Sequence, residues 1–301
     1  MLDDFLNYLA AERRFSPLTV RNYRRDIERF LAWLDVDESR YDFSRIEAKD
    51  IRAWILFRTE QDKVSASSMN RELSSLRALF RWLHERGCCP KNILLGIPSL
   101  RTPRRLPSFV PESRMNAIVA DCYRTEEEFE AARNALIVLM FYTCGLRLAE
   151  LIGIDRDDFA DDLSTLRVRG KGGKTRLVPI PEFVREKIAA YTELTERQQI
   201  CNSAEKALYL SLEGRRISRS TVYRIVKAEL GRHGVQGKTS PHVLRHTFAT
   251  HLLNDGADMR AIQELLGHAS LQSTQVYTHN EIAKLKESYS KAHPREKKGQ
   301  Y

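Results

Sequence analysis

The chain has 301 residues, enough for two domains that each bury a core. Its formal net charge of +9 and sequence pI near 9.3 point to a polyanionic partner. No apolar run approaches the roughly 18 residues of a membrane span, and the acidic start Met1-Leu2-Asp3-Asp4 lacks the pattern of a leader peptide. A cytoplasmic protein with no membrane partner is therefore expected. Five cysteines, odd in number and without CxxC spacing, predict reduced thiols and no zinc site.

The first hundred residues read as four helices. Leu2, Phe5, Leu6 and Leu9 form the stripe of an amphipathic helix. Ser16-Pro17 starts a second, carrying Val20, Tyr23, Ile27, Phe30, Leu31 and Leu34. Asp50 is placed to cap a third, with Ile51, Trp54 and Ile55 inward and either Phe57 or Arg58 continuing the face. A fourth runs from about Ser67 through Met69, Leu73, Leu76, Phe80 and Leu83 and stops at Gly87. Arg21, Arg24, Arg25 and Arg29 lie off the second stripe; with Arg71, Arg77 and Arg81 they suggest a phosphate-gripping surface.

Pro98, Pro103, Pro107 and Pro111, mixed with Arg101, Arg104 and Arg105, rule out a helix and read as a basic linker. The predicted layout is a helical domain at 1–98, a linker at 99–110 and a second domain at 111–301. The second domain is mainly helical. Ala131 to Tyr142 is an apolar helix broken at Gly145; Thr165–Arg169 and Thr175–Ile180 alternate as strands joined by Gly170-Lys171-Gly172-Gly173. Ala207–Leu210 is a candidate third strand, and helices restart at Ser218, Ser240-Pro241 and Ser270.

Several residues have the chemistry of a phosphate site. Ser240 and Pro241 place His242 and Arg245 in the first two turns of a helix, whose positive end favours an anion and a neutral imidazole. His246 reads as structural. Gly267 ends a helix and leaves His268 in a turn, with Tyr277 on the short helix that follows. Lys171 sits at a glycine-rich tip whose spacing is not that of a Walker loop. Read singly, each has a plain structural alternative: a helix-end histidine beside a surface arginine, a packing tyrosine, a solvated turn lysine.

Together they form a known order. Thr143-Cys144-Gly145-Leu146-Arg147-Leu148-Ala149-Glu150-Leu151, the hairpin Gly170-Lys171-Gly172-Gly173-Lys174-Thr175-Arg176-Leu177-Val178-Pro179, the helix His242-Val243-Leu244-Arg245-His246-Thr247-Phe248-Ala249, then Leu265-Leu266-Gly267-His268 and Tyr277 closely resemble the tyrosine recombinase (phage integrase) family. Length and layout are most similar to the bacterial Xer recombinases. The segment Cys122 to Glu130 is a local departure, longer and more acidic than the family leads one to expect.

The resemblance implies a mainly α fold: an N-terminal four-helix, SAM-like core-binding domain and a mainly helical catalytic domain with a small antiparallel sheet. It implies Tyr277 as nucleophile, with Arg147, Lys171, His242, Arg245 and His268 catalytic and Glu150 supporting. Cleavage through a 3′-phosphotyrosine conserves the energy of the broken bond, so neither a cofactor, a metal nor ATP is expected. The partners implied are a duplex DNA site, a homo- or heterotetramer with a related recombinase on two sites, and a DNA translocase acting in chromosome-dimer resolution at cell division. A C-terminal amphipathic tail from Glu281 would link neighbouring protomers. The alternatives are a mobile-element integrase or transposase with the same chemistry, a type IB topoisomerase, and a non-catalytic DNA-binding protein. A metal-dependent nuclease is disfavoured for want of a carboxylate cluster.

Overall fold

The computed structural model describes residues 1–35, 42–102, 108–124, 128–170, 173–200, 205–237 and 239–267. The chain divides into two compact units, 1–105 and 106–301.

Among the described residues the first unit has four α-helices: α1 (Leu2–Ala11), α2 (Pro17–Trp33), α3 (Ala48–Leu56) and α4 (Ala66–Glu85). The apolar stripes read from the sequence are the buried faces; Phe5, Ile27, Phe30, Ile51, Trp54 and Leu76 meet in one core. Two helix starts differ from expectation. Asp50 is not the first cap of α3 but lies one turn inside, accepting the Glu47 N–H at 2.8 Å in the manner of a capping box. Helix α4 begins earlier, because the Ser65 hydroxyl takes the Ser68 N–H. Beyond α3 a π-helical turn, Phe57–Gln61, turns Arg58 rather than Phe57 inward.

The arginines pooled as one basic surface are largely engaged inside this unit. Arg24 binds Asp3 and Glu28, Arg71 binds the buried Asp26, and Arg29 donates to Glu72 at 3.0 Å. Arg77 donates to the Ile97 carbonyl. Asp26 and Glu72 are buried, which explains the Arg71 and Arg29 pairs, since a buried anion must be paired. Arg21 and Arg81 remain exposed.

The ends of the proline-rich segment are anchored. Leu100 exchanges two hydrogen bonds with the side chain of Asn70, at 2.8 and 2.9 Å, in the first unit. Val110 is fully buried in the core of the second.

The second unit is built around α6 (Phe129–Cys144), whose last ten residues, Ala135 to Cys144, are all buried. A helix apolar all round belongs in a core, and α6 packs against α5 (Glu112–Arg124), α8 (Glu182–Arg197), α9 (Arg219–Arg232) and α10 (Pro241–Asn254). Two short helices, α7 (Leu148–Ile152) and α11 (Met259–Leu266), complete the described helices. Strands β1 (Thr165–Arg169) and β2 (Thr175–Pro179) pair antiparallel, with Val168 opposite Arg176. The third strand expected at Ala207–Leu210 does not form: Ala207 and Leu210 make only isolated bridges, to Asp155 and Arg216. That buried run instead packs as an irregular core segment. The expected helix at Ser270 lies outside the described residues, as do Cys201 and part of the Cys122–Glu130 segment.

Among the described residues no helix is long and apolar enough to cross a membrane.

Candidate active site

The site is assembled where α6, α7, α10, α11 and β2 converge. Helix α6 ends at Gly145, whose φ of +56° closes the helix in the left-handed region; a Cβ there would meet the Phe248 ring at 2.5 Å. The turn delivers Arg147 to the first cap position of α7, one helical turn ahead of Glu150.

Glu150 is the buried hub. It accepts the Arg147 backbone N–H at 2.8 Å and Arg147 Nη1 at 2.7 Å. It also takes a two-pronged bond from Arg176, with Nη1 and Nη2 each 2.9 Å from one carboxylate oxygen. Arg245 Nη1 stands 3.7 Å away. Burial alone would raise the Glu150 pKa, but the Arg176 fork and the Arg147 bonds outweigh it and hold the carboxyl at about 2.

The same arginines close the end of α11. Three successive carbonyls, which a helix terminus leaves without intrahelical partners, each receive a different guanidinium. Leu265 O accepts from Arg176 Nε at 2.8 Å, Leu266 O from Arg245 Nη2 at 2.5 Å and Gly267 O from Arg147 Nη2 at 2.9 Å. Arg245 Nη1 also donates to the Gly145 carbonyl. Helix C-termini carry partial negative charge, so this wiring adds to the hold on the cations. Gly267 has φ +64°, and a Cβ there would come 3.2 Å from Arg176 Nη1.

Three guanidiniums thus surround one carboxylate, leaving surplus positive charge. Arg245 is pushed down to about 10, first by burial and then by the nearby Arg147 charge, and stays protonated at neutral pH. Arg147 is the most open of the three, its side chain 37% exposed. Such a cluster suits an oxyanion with forked acceptors, above all a phosphate. Among the described residues no group of three or more His, Cys, Asp or Glu is placed to hold a metal ion.

The profile of the phage integrase family matches residues 108–284, and that of the phage integrase N-terminal SAM-like domain matches residues 2–87. The chain is a tyrosine recombinase of this family. A Pseudomonas fluorescens protein named tyrosine recombinase XerC is 36% identical over 299 residues, covering 99% of this chain and 97% of its own. An Agrobacterium fabrum protein of the same name is 36% identical over 296 residues, covering 97% and 93%. In fold the recombinase is similar to XerH site-specific recombinase bound to its difH substrate, with a TM-score of 0.71, 21% identity and 96% and 84% coverage. A lambda integrase dimer on a core site gives 0.65 at 19% identity, covering 92% of this chain and 98% of that one.

Of the residues expected in the recombinase site, the structure brings together Arg147, Glu150 and Arg245. His242 stands in the first turn of α10 but remains exposed, outside the arginine–carboxylate network. Ser240 holds the cap position without a side-chain cap bond. Lys171, His268 and Tyr277 lie outside the described residues; Gly170 and Gly173 mark the root of the Lys171 turn, where Gly170 N–H donates to Lys174 O at 2.7 Å. His246 is half-buried on an apolar groove lined by α10 and α11.

Sequence reasoning missed one member, Arg176. Its signal was available: on β2 the inward positions are Arg176 and Val178, and an arginine on the buried face of a strand must have a buried partner.

Proposed function

We propose that this site-specific tyrosine recombinase uses Tyr277 to attack the scissile phosphate of duplex DNA, forming a 3′-phosphotyrosine and releasing a 5′-hydroxyl. Arg147 and Arg245 hold the non-bridging oxygens and stabilise the charge that develops on them. Lys171 protonates the leaving 5′ oxygen, His242 assists transfer of the tyrosine proton, and His268 donates a hydrogen bond to the phosphate. Glu150 fixes the arginines without meeting the substrate. A 5′-hydroxyl from a second duplex reverses the attack and completes the exchange.

The observation that carries this reading is the cluster of Arg147, Arg176 and Arg245 on the single carboxylate of Glu150: fixed guanidiniums with surplus charge and an open edge at Arg147. The relatives named XerC, which align along nearly the whole chain, favour a cytoplasmic role in resolving chromosome dimers at cell division. In that role four protomers, of one or two related recombinases, join two DNA sites, and a DNA translocase governs their activity. The tail at residues 281–301 couples neighbours; its deletion is expected to spare DNA binding and impair paired-site recombination.

The test is incubation, without metal, of wild type and Tyr277→Phe with end-labelled duplexes nicked near candidate sites. A covalent adduct formed by wild type and lost in Tyr277→Phe supports the assignment. Tight binding without any adduct would point instead to a DNA-binding protein.

A further inference from the structure

Arg176 performs none of the roles assigned above, yet all three of its guanidinium nitrogens are engaged within the cluster. Its guanidinium grips both oxygens of Glu150 and, through Nε, the Leu265 carbonyl. With Nε, Nη1 and Nη2 all taken by protein acceptors, phosphate contact falls to its neighbours. What distinguishes it is its place in the chain. Arg176 lies on β2 two residues beyond Lys174, whose carbonyl closes the turn carrying Lys171. The other side of that turn also lies near the carboxylate: a Cβ built on Gly170 would come 4.0 Å from Glu150 Oε1.

A two-stranded hairpin is a weakly held element by itself. It depends on contacts that its root makes with the rest of the unit, and Arg176 supplies ionic ones. We propose that Arg176 is a positioning residue for the leaving-group acid: its fork onto Glu150 ties the root of the β1–β2 hairpin to the arginine cluster and thereby sets where Lys171 delivers its proton. This inference rests on the phosphotyrosine chemistry proposed above. In the step concerned, the Tyr277 oxygen bonds to phosphorus, the P–O5′ bond breaks, and the departing oxygen takes a proton from Lys171. A misplaced acid by about 1 Å slows such a step on the order of 10²-fold.

The test uses full-length Arg176→Lys and Arg176→Met, with a nicked duplex carrying the sequence that wild type selects from a randomised duplex pool. Two forms of that duplex are compared, one ordinary and one with sulfur replacing the bridging 5′ oxygen. The sulfur leaves as a thiolate and needs no acid. Arg176→Lys keeps the charge but cannot form the fork, and it carries the test if Arg176→Met fails to fold. We expect unchanged duplex binding and cleavage of ordinary DNA slowed about 10²-fold, with most of that loss recovered on the sulfur duplex. Loss on both duplexes alike would overturn the proposal, as would rescue by a neutral methylphosphonate in place of sulfur, which would assign Arg176 to the phosphate arginines. Full activity of Arg176→Lys on ordinary DNA would also overturn it. A wild type that forms no adduct would refute the underlying chemistry instead, so the two failures are distinguishable.

Discussion

Glu150 shows how a supporting residue can matter more to the fold than those it supports. Its carboxyl is held at about 2 against an ordinary 4.5. A depressed carboxylate stabilises the protein fully above pH 4.5, and that contribution is lost as pH falls from there through 2. The shift corresponds to about 3 kcal/mol. Replacing it by Gln leaves three guanidiniums without their counter-charge, a loss of about 3–5 kcal/mol near neutrality. Urea unfolding of wild type and Glu150→Gln near pH 6 and near pH 3 should therefore show a gap that narrows in acid; an equal gap at both would disprove the assignment. Gly145 offers a second contrast. Gly145→Ala must accept both the left-handed backbone and a Cβ 2.5 Å from Phe248, whereas Gly87→Ala, at φ +72°, meets nothing within 4 Å. The first should cost about 1–2 kcal/mol for backbone plus about 1–3 for overpacking, the second only the backbone part. Equal melting temperatures for the two variants would refute the packing argument. At this scale the sequence was informative where a residue type is unusual for its setting. Arg147, Glu150 and Arg245 stood out by motif, while Arg176 sat inside a strand, its one signal the alternation that puts it on the inward face with Val178.

Among the elements, α10 serves two purposes. Its first turns carry His242 and Arg245, and its last turn carries His251, buried between Tyr142 and the Val110 carbonyl. A carbonyl only accepts, so His251 Nε2 bears the proton and donates at 3.0 Å, leaving Nδ1 to accept from the Tyr142 hydroxyl at 3.0 Å. Burial lowers the His251 pKa despite that carbonyl, which favours the charged form. The unfolded chain therefore binds the proton more readily, and this contribution is complete above the ordinary value of 6.5 and declines as pH falls below it. Tyr142→Phe removes the hydroxyl and leaves a buried ring nitrogen unpaired, at a cost of about 1–3 kcal/mol. Denaturant midpoints at slightly alkaline pH would measure it, and an unchanged midpoint would show that the hydroxyl does not support the ring. Most helices were legible from apolar periodicity and start signals, but α7 and α8 were not read from the sequence. Boundaries were less so: Glu47 displaced Asp50 as the cap of α3, and α4 starts from Ser65 rather than near Ser67, because several polar residues compete near each start. The strand expected at Ala207–Leu210 failed for a different reason. Buried apolar runs of four residues suit a strand or an irregular core segment equally, and periodicity cannot separate them.

For the whole molecule, net charge proved a poor guide to where the charge acts. The arginines off the apolar stripes suggested a phosphate-gripping surface over α2 and α4, yet the buried Asp26 and Glu72 engage Arg71 and Arg29 in ion pairs. The proline-rich interruption was visible in the sequence, but not the anchoring of its ends by Asn70 and by the core around Val110, which depends on contacts distant in sequence. This arginine pairing has a measurable consequence in solution. Each phosphate neutralised by a free cation releases condensed counterions and steepens the fall of log affinity with log salt by about 0.9. An arginine already engaged with a carboxylate has less to contribute. Arg21→Ala and Arg81→Ala should each flatten that salt slope by roughly one unit while leaving the melting temperature unchanged. Arg29→Ala should do the reverse, lowering thermal stability with little change in slope. If all three flatten it equally, the two buried acids do not sequester their arginines from DNA. If they behave as expected, Asp26 and Glu72 set how many ions this enzyme sheds when it settles on a duplex, although neither acid ever touches one.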